Sequence, residues 1–483
     1  MTTKPTPGQT GIGDMDAGEF REWAHRVADL AADYLEGLEQ LPVVPNVKPG
    51  EIRAQLSDAP PVDPQPTEEI FADYKRLIEP NITHWQHPRF MAYFPSMASG
   101  PGILGEWLSA TLNSNVMMWR NAPASTELEK CVVAWLRQML GLPGTFSGMF
   151  TDTASISTLL SLVAARHKVL DLETPTRLRL YASDQAHMSI EKAAMVIGVG
   201  PDGVRPIPAD RNYRMDVDAL ARAIREDRDA GWQPFCVAGT LGTTASTSID
   251  PARAIGELCR DEGLWCHFDA AYGGALALVP EYRDLLAGWE LADSIVINPH
   301  KWFFTPFDAS LLLFRDGDAF RNAFALNPEY LKTATDGQAT NFNEYGIQLG
   351  RRFRALKLWI MIRYFGTEGF ARRIRAHVEW AREFRDWIDA AQDWERLAPT
   401  PAATICFRYH PSGIDDPGTL DRLNVDILER INEEGRFYLS HARLDDRHTL
   451  RLTIGNLRQT RAHVAEAWQV LQATAARVTP RED

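Results

Sequence analysis

The sequence predicts an α/β fold built on a mostly parallel central sheet, and three observations support this prediction. Between about residues 125 and 300, short apolar strand-like runs alternate with helix-like stretches. After residue 350 helical periodicity dominates, and from about residue 390 strands and helices mix again. Strands that alternate with helices form parallel sheets covered by helices on both faces. We therefore expect a large α/β domain over 101–390 and a small α+β domain over 391–483.

The composition limits the classes of function. The 483 residues are 45% hydrophobic and 24% charged, which is usual for a globular protein with a large core. The chain has 51 basic and 64 acidic residues, and the resulting net charge of −13 argues against nucleic-acid binding. No run approaches the ~20 apolar residues of a membrane span, so we expect no membrane partner. The first residues lack the apolar core of a secretory signal.

The cysteine pattern indicates a reducing compartment. The five cysteines are scattered and form no CxxC pair, so the sequence suggests neither a disulfide framework nor a zinc site. We expect no metal, and a cytoplasmic location fits this pattern.

An N-terminal arm, predicted over 1–100, precedes the alternating region. An aromatic stripe at three- and four-residue spacing predicts an amphipathic helix over 17–38. The seven prolines between Pro42 and Pro66 exclude regular helix or inner strand from the connector that follows. Two interpretations stay open: the arm is exchanged with the second subunit of a homodimer, or it is an ordinary extension on its own chain.

Individual elements can be assigned in chain order from apolar periodicity. Residues 294–314 contain two apolar strand-like runs around the segment Asn-Pro-His-Lys-Trp. The other predicted strands are 177–183, 235–244, 264–274, 404–410 and 448–455. The predicted helices are 125–140, 153–170, 189–198, 251–263, 351–366 and 371–391.

Polar residues follow several predicted strands at the point where each strand ends. Ligands of open α/β sheets bind at the carboxyl ends of the strands, and helix N-termini hold anions. Each residue also has an ordinary explanation, such as a helix cap or a core histidine. Together they match the needs of a phosphorylated pyridine aldehyde: a lysine for a Schiff base, a carboxylate for the ring nitrogen, a flat ring and an anion site. The candidates are Thr153, Ala154, Ser155, His187, Thr244, Asp269, Ala271, Asn298, His300 and Lys301.

Lys301 is the most informative of these residues. It follows an apolar strand and is flanked by Trp302, Phe303 and Phe304. An unpaired buried ammonium is costly and tends to lose its proton. A surface lysine whose stem packs on the aromatic rings is the alternative for this segment alone. The other strand ends favour a Schiff-base lysine.

The sequence resembles the group II pyridoxal-phosphate-dependent decarboxylases, specifically the aromatic-L-amino-acid decarboxylase branch. The matching motifs span about residues 17 to 470, in family order and at family spacing: HPRFMAYFP, PASTELE, YASDQAHMSIEKA, TLGTT, HFDAAYGG, NPHKW and LGRRFRALK. The resemblance implies a fold-type I enzyme, a homodimer and pyridoxal 5'-phosphate as cofactor. It implies Lys301 as the Schiff-base lysine, Asp269 as the partner of the pyridine nitrogen and His187 as the stacking imidazole. It also implies that Ala154, Ser155, Thr244, Asn298 and His300 surround the cofactor.

The resemblance further implies a reaction, the decarboxylation of an aromatic L-amino acid to the arylalkylamine and CO2. Tyr330, in a polar stretch that reads as a mobile lid, is implied as the proton donor to Cα. In the family, phenylalanine at this place accompanies aldehyde-forming relatives, so Tyr330 together with His187 favours plain decarboxylation. The alternatives are an aromatic aldehyde synthase and a decarboxylase of glutamate or histidine. A GxGxxG match at 198–203 lacks the preceding strand and following helix of a dinucleotide site.

The resemblance also indicates a substrate pocket. No arginine is placed in this pocket as an obvious partner for a glutamate side chain, and Arg89 is the nearest candidate. An acidic substrate is therefore disfavoured. Gly350 matches a position where relatives with glycine accept bulky indoles. Asn115 and Met117 stand where apolar and aromatic residues usually come from the partner subunit, so the preferred ring stays open. The expected substrate-binding residues are Trp85, Tyr93, Phe94, Pro95, Ser96, Asn115, Met117 and Gly350.

Overall fold

A seven-stranded sheet lies at the centre of the computed structural model, which describes residues 13–169, 177–326 and 339–478. The strands are β1 (Ser147–Thr151), β2 (Leu178–Ser183), β3 (Val204–Ile207), β4 (Gln233–Thr240), β5 (Trp265–Asp269), β6 (Ser294–Ile297) and β7 (Ser310–Phe314). Their spatial order is β1-β7-β6-β5-β4-β2-β3, and β7 runs in the direction opposite to the other six. The predicted mostly parallel sheet is confirmed.

Helices cover both faces of this sheet, as the alternation of strands and helices predicts. Every residue of β5, β6 and β7 is buried, which explains why apolar residues dominate these strands. The helices are α1 (Ala17–Gly37), α2 (Thr67–Asp73), α3 (Gly100–Leu112), α4 (Pro123–Met139), α5 (Ala154–Val169), α6 (Ser189–Val196), α7 (Val217–Asp229), α8 (Ala252–Glu262), α9 (Gly317–Phe324), α10 (Ala355–Ala390), α11 (Pro417–Glu433) and α12 (Arg461–Val478).

The long helix α10 corrects one boundary of the sequence prediction. Helix was expected from Arg351, but α10 begins at Ala355. The backbone N–H of Arg351 donates to Asn115 Oδ1 at 2.9 Å and its carbonyl accepts from Val116 N at 2.9 Å, so these groups are committed to a neighbouring loop. A break at Gly366, with φ 64° and ψ 165°, separates the two predicted helices.

A smaller antiparallel sheet forms near the end of the chain. Its strands are β8 (Trp394–Arg396), β9 (Thr404–Tyr409), β10 (Ser440–Leu444) and β11 (Arg447–Thr453), in the order β10-β11-β9-β8. Together with α11 and α12 it matches the expected α+β character. It contacts the 90–93 segment, because Met91 N donates to Tyr438 O and Thr453 N donates to Met91 O, each at 2.9 Å. The domain limits at 100 and 390 stay predictions.

The N-terminal helix α1 packs partly on its own chain. Trp23 stacks on Phe71 with ring centroids 4.6 Å apart, and the Tyr34 hydroxyl lies 2.9 Å from His84 Nδ1. No residue of α1 is fully buried, and Phe20 is 53% exposed. Both interpretations of the arm therefore stay open. Within the described residues no helix has the length and apolar character to span a membrane.

Candidate active site

The predicted polar residues meet at one edge of the sheet, where the parallel strands β2, β4, β5 and β6 end. The backbone joins these ends directly: Asn298 N donates to Ala271 O at 3.0 Å, and Leu241 N donates to Asp269 O at 2.8 Å. Thr244 follows Leu241 in the loop after β4 and is exposed. The edge lies at the place where the topology of an α/β sheet positions ligands.

Lys301 lies against an aromatic stack. Its Nζ is 5.0 Å from the centroid of the Phe94 ring. Phe94 stacks on Tyr272 at 3.9 Å, and Tyr272 stacks on Trp302 at 4.6 Å. Trp302 is held from behind, since its Nε1 donates to His377 Nδ1 at 3.0 Å. The predicted apolar wall is therefore present, and among the described residues Lys301 Nζ has no hydrogen-bond partner.

Two charged groups and one imidazole are coupled electrostatically at this edge. Burial lowers the pKa of Lys301, and the nearby Asp269 carboxylate opposes that effect. Burial also lowers the pKa of His187, on which Asp269 and Lys301 act in opposite directions. Ser189 N donates to His187 Nδ1 at 3.2 Å, so the proton of the neutral ring is on Nε2. Asp269 is 6% exposed and its Oδ1 accepts from Ala271 N at 3.0 Å, which leaves Oδ2 for a ligand.

His300 connects the lysine loop with the aromatic segment that contains Phe94. Its Nδ1 accepts from Ala309 N at 3.0 Å, and its carbonyl accepts from Ser96 Oγ at 2.8 Å. Burial lowers the pKa of His300 to about 3, so the ring is neutral at physiological pH. These contacts give His300 and Ser96 a definite place beside Lys301.

The predicted anion site lies at the N-terminus of the 16-residue helix α5. Asp152 Oδ1 accepts from Thr153 N at 2.6 Å and from Thr153 Oγ1 at 3.1 Å. Thr153 is thus partly engaged by its own neighbour, whereas the N–H groups of Ala154 and Ser155 have no acceptor among the described residues. Free N–H groups at a helix start favour an anion.

A cavity of about 530 Å³ opens onto Lys301. Of the predicted site residues, Tyr93, Phe94, Thr244 and Lys301 line it. The backbone of Tyr93 has a positive φ of 50°, and both of its polar groups are held: Ser440 Oγ accepts from its N–H at 3.2 Å and Arg451 Nη1 donates to its carbonyl at 2.7 Å. The small sheet therefore fixes the aromatic side of the cavity.

The remaining predicted substrate residues fall into two groups. Trp85 stacks on Tyr93 with ring centroids 5.9 Å apart, and Pro95 is buried next to Phe94. Asn115, Met117 and Gly350 form a separate surface, which is not part of the lining of the Lys301 cavity within the described chain. A Cβ on Gly350 would lie 3.8 Å from Asn115 Nδ2. Tyr330 lies outside the described residues.

A family comparison identifies the class of enzyme. The model of the family described as the pyridoxal-dependent decarboxylase conserved domain matches residues 49–410. The chain belongs to the pyridoxal-dependent decarboxylase family. It is an amino-acid decarboxylase, and its cofactor is pyridoxal 5'-phosphate.

Individual relatives align with this decarboxylase over nearly its whole length. Tryptophan decarboxylase 2 of Oryza sativa subsp. japonica is 37% identical, with 98% of this chain and 97% of the relative covered. Phenylacetaldehyde synthase of Arabidopsis thaliana is also 37% identical, over 96% and 97%. The crystal structure of Oryza sativa TDC with PLP and tryptamine superposes with a TM-score of 0.95 at 33% identity and covers 97% of this chain and 100% of that one. The predicted fold-type I architecture is confirmed.

The residues of the decarboxylase fit its cofactor. The buried Asn298 Oδ1 has no hydrogen-bond partner in the described chain, which is costly unless a ligand supplies a donor. The unpaired Lys301 amine, the free Asp269 Oδ2 and the N–H groups of Ala154 and Ser155 offer the three kinds of contact that a phosphorylated pyridine aldehyde needs. Among the described residues there is no cluster arranged to hold a metal ion.

Sequence reasoning missed one arginine of the decarboxylase cavity. Arg451 in β11 is 3% exposed and lines the cavity beside Lys301. Its Nε donates to Ala245 O at 3.0 Å and its Nη1 to Tyr93 O, whereas its buried Nη2 has no partner among the described residues. The signal was a charged residue between Leu450 and Leu452 in a predicted strand.

Proposed function

We propose that this enzyme decarboxylates aromatic L-amino acids to the arylalkylamine and CO2. The cavity at Lys301 supports this proposal most directly, because it joins the amine to the aromatic rings of Tyr93 and Phe94 and to the buried Arg451. The tryptophan decarboxylase and the tryptamine-bound structure among the relatives agree with an aromatic substrate.

Arg89, the arginine considered for a glutamate side chain, is engaged elsewhere. Its Nε donates to Glu466 at 2.9 Å and its Nη1 to Glu39 at 3.2 Å. This pairing neutralises its charge and orients it away from a ligand role. It supports an aromatic over an acidic substrate.

Arg451 is proposed to bind the α-carboxylate of the substrate. Its guanidinium is fixed by Ala245 O, Tyr93 O and Ser440 Oγ, and Nη2 is left to donate to an anion. A rigid donor can hold the bond from Cα to the carboxylate in one orientation while the substrate amine lies beside Lys301. The bound carboxylate would restore a partner to a buried donor.

The other roles follow from the geometry of each side chain. Held at this edge, pyridoxal phosphate would supply an electron sink for the pair left at the substrate Cα when CO2 departs. Asp269 Oδ2 would hold a proton on the ring nitrogen, with Oδ1 fixed by Ala271 N–H. His187, kept neutral by burial, would cover one ring face. Thr153, Ala154 and Ser155 would hold the phosphate, and Asn298, His300, Thr244 and Ala271 would surround the ring.

Tyr330 is proposed as the proton donor to Cα, on the resemblance alone. The phenylacetaldehyde synthase relative makes oxidative aldehyde formation the second candidate function. The two differ in products, because the oxidative reaction also releases hydrogen peroxide and ammonia. Amine formation without peroxide supports the decarboxylase, and stoichiometric peroxide would replace it with the synthase.

We further propose that the enzyme is a homodimer in the cytoplasm. Helix α3 presents apolar side chains to solvent, with Leu104, Leu108 and Leu112 at 58%, 52% and 64% exposure. A contiguous apolar stripe of this kind is typical of an interface. Since Asn115, Met117 and Gly350 do not line the cavity of their own chain, they are available to the site of the second subunit.

A substrate panel tests the proposal. Purified enzyme with cofactor is offered Trp, Tyr, Phe, DOPA, His and Glu, and the amine products are quantified. We expect an aromatic substrate to have the highest kcat/KM. A higher value for Glu than for Trp, Tyr, Phe and DOPA would overturn the aromatic assignment.

A further inference from the structure

The ion pair between Arg351 and Glu129 is buried below the Asn115–Met117 surface. Arg351 Nη2 lies 2.5 Å from Glu129 Oε1, and the two side chains are 4% and 0% exposed. Breaking such a pair is destabilising, but replacing both members by apolar residues is often neutral or stabilising. Stability alone therefore does not account for an ion pair at this place.

The pair joins two backbone segments through hydrogen bonds. Arg351 Nη1 donates to Val116 O at 3.0 Å, and Nη2 donates to Phe150 O at 2.7 Å. Glu129 Oε1 accepts from Phe150 N at 2.9 Å. Phe150 belongs to β1, which leads to the proposed phosphate site at Thr153, whereas Val116 lies between Asn115 and Met117.

The same arginine also shapes the pocket surface through its backbone. Its N–H donates to Asn115 Oδ1 and its carbonyl accepts from Val116 N, both at 2.9 Å. Gly350 precedes it, and Met117 O accepts from Asn343 N at 3.0 Å. Asn115, Met117 and Gly350 therefore form one wall that is fixed to β1 by the ion pair.

We propose that Arg351 and Glu129 are positioning residues that set the substrate-pocket wall of Asn115, Met117 and Gly350 against β1, and thereby control the selectivity between aromatic rings of different size. The inference rests on the proposed function, in which this wall faces the substrate of the second subunit. In that dimer the pair connects the phosphate site of one active site with the pocket wall of the other.

The two sides of the connection differ in rigidity. β1 is held independently by five residue pairs with β7. The 115–117 segment belongs to neither a helix nor a strand. A weakened pair should therefore move the wall and leave the phosphate site in place. Selectivity should change while cofactor affinity does not.

Arg351→Lys tests this, because one ammonium cannot reach Glu129, Val116 O and Phe150 O together. We measure kcat and KM for the two best substrates of the wild type, whatever they are, and the cofactor dissociation constant by fluorescence titration of the apoenzyme. We expect the ratio of the two kcat/KM values to change at least about tenfold, mainly through KM, with cofactor affinity within about twofold.

Arg408→Lys is the matched control. Arg408 is buried in β9 and paired with Glu395, far in the sequence from the wall. Arg408→Lys should leave the ratio of the two kcat/KM values within about twofold of the wild-type ratio, even if the melting temperature falls as much as in Arg351→Lys. An equal change of ratio in the control would overturn the proposal.

Glu129→Gln decides the question if Arg351→Lys does not fold. It keeps an acceptor for Phe150 N and removes the charge that orients the guanidinium, so we expect a smaller change of the ratio. An unchanged ratio in the folded variant, or equal losses for both substrates, overturns the positioning role. If the two best substrates are not aromatic, the proposed function fails while the ratio still tests the pair.

Discussion

Lys301 Nζ lies 5.0 Å from the centroid of the Phe94 ring, and the guanidinium carbon of Arg451 lies 4.8 Å from the same centroid. One aromatic ring thus contacts both the amine that is proposed to hold the cofactor and the arginine that is proposed to hold the carboxylate. Phe94 is itself fixed by stacking on Tyr272. The distance between the Lys301 amine and the Arg451 guanidinium is therefore set by the packing of a single ring.

Arg451→Lys should raise KM about tenfold or more, because lysine loses the fixed fork and a charge-assisted hydrogen bond contributes about 1.5–3 kcal/mol. The cofactor absorbance should persist, since no cofactor contact is removed. Arg443→Lys is the control, because Arg443 lines the same cavity with a 63% exposed side chain. Steady-state kinetics with the best aromatic substrate measure both. An unchanged KM in Arg451→Lys contradicts the carboxylate role.

Asp269→Ala should lose most turnover, at least about 100-fold in kcat, because the ring nitrogen is no longer kept protonated. The Asp269 carboxylate accepts one backbone hydrogen bond, from Ala271 N–H. Because the substitution removes only that bond, the loop after β5 should retain its shape. Cofactor content is measured beside kcat. Near-normal turnover with bound cofactor refutes the role of Asp269.

The sequence predicted the inner strands of the seven-stranded sheet and missed its two outer strands. β2, β4, β5 and β6 are apolar runs that end in polar residues. β1 and β3 lie at the two edges of the sheet, where burial is incomplete and the pattern is weak. β3 also contains Pro206, which an edge strand tolerates.

Sequence analysis found the candidate site residues that lie in local motifs. It missed those that only tertiary contacts bring to the site. His187, Asp269 and Lys301 each lie within or shortly after a predicted strand. Arg451 becomes part of the cavity because Tyr93 and Ala245 fold over it from distant parts of the chain. The ion pair of Glu129 and Arg351 joins residues 222 positions apart, which no periodicity reveals.

Stability should fall as the pH falls from 6.5 towards 4. Burial lowers the pKa of His267 to about 4 and of His377 to about 3. Below about pH 6.5 the unfolded chain binds protons that the folded chain excludes, so each such histidine costs about 1.4 kcal/mol per pH unit. His377→Asn retains an acceptor for Trp302 Nε1 and should make the fall of melting temperature shallower. His25→Asn, at an exposed position, should leave the slope unchanged; equal slopes in all three proteins contradict the prediction.

Leu108→Asp should convert the enzyme to an inactive monomer or cause it to aggregate, because the charge would lie in the proposed α3 interface. Val196→Asp is the control, since Val196 is 71% exposed and lies outside both α3 and the arm, so a charge there should cost little. Sedimentation at nanomolar concentration measures the oligomeric state.

Deleting residues 1–66 tests the arm separately. We expect aggregated or monomeric protein with little activity, because the deletion would expose the apolar surface that the arm covers, at about 1.5–3 kcal/mol for each large apolar side chain uncovered. An intact chain that is an active monomer at nanomolar concentration would contradict both the arm exchange and the shared site.

The most direct test of the central claim is borohydride reduction of the enzyme with its cofactor, followed by mass analysis of the peptides. The imine should make the purified protein yellow, and reduction should fix the mass of the cofactor on Lys301. Lys357, also buried but bound to Glu106 at 2.7 Å, is the internal control and should remain unmodified. Attachment of the cofactor to any lysine other than Lys301 would contradict the account.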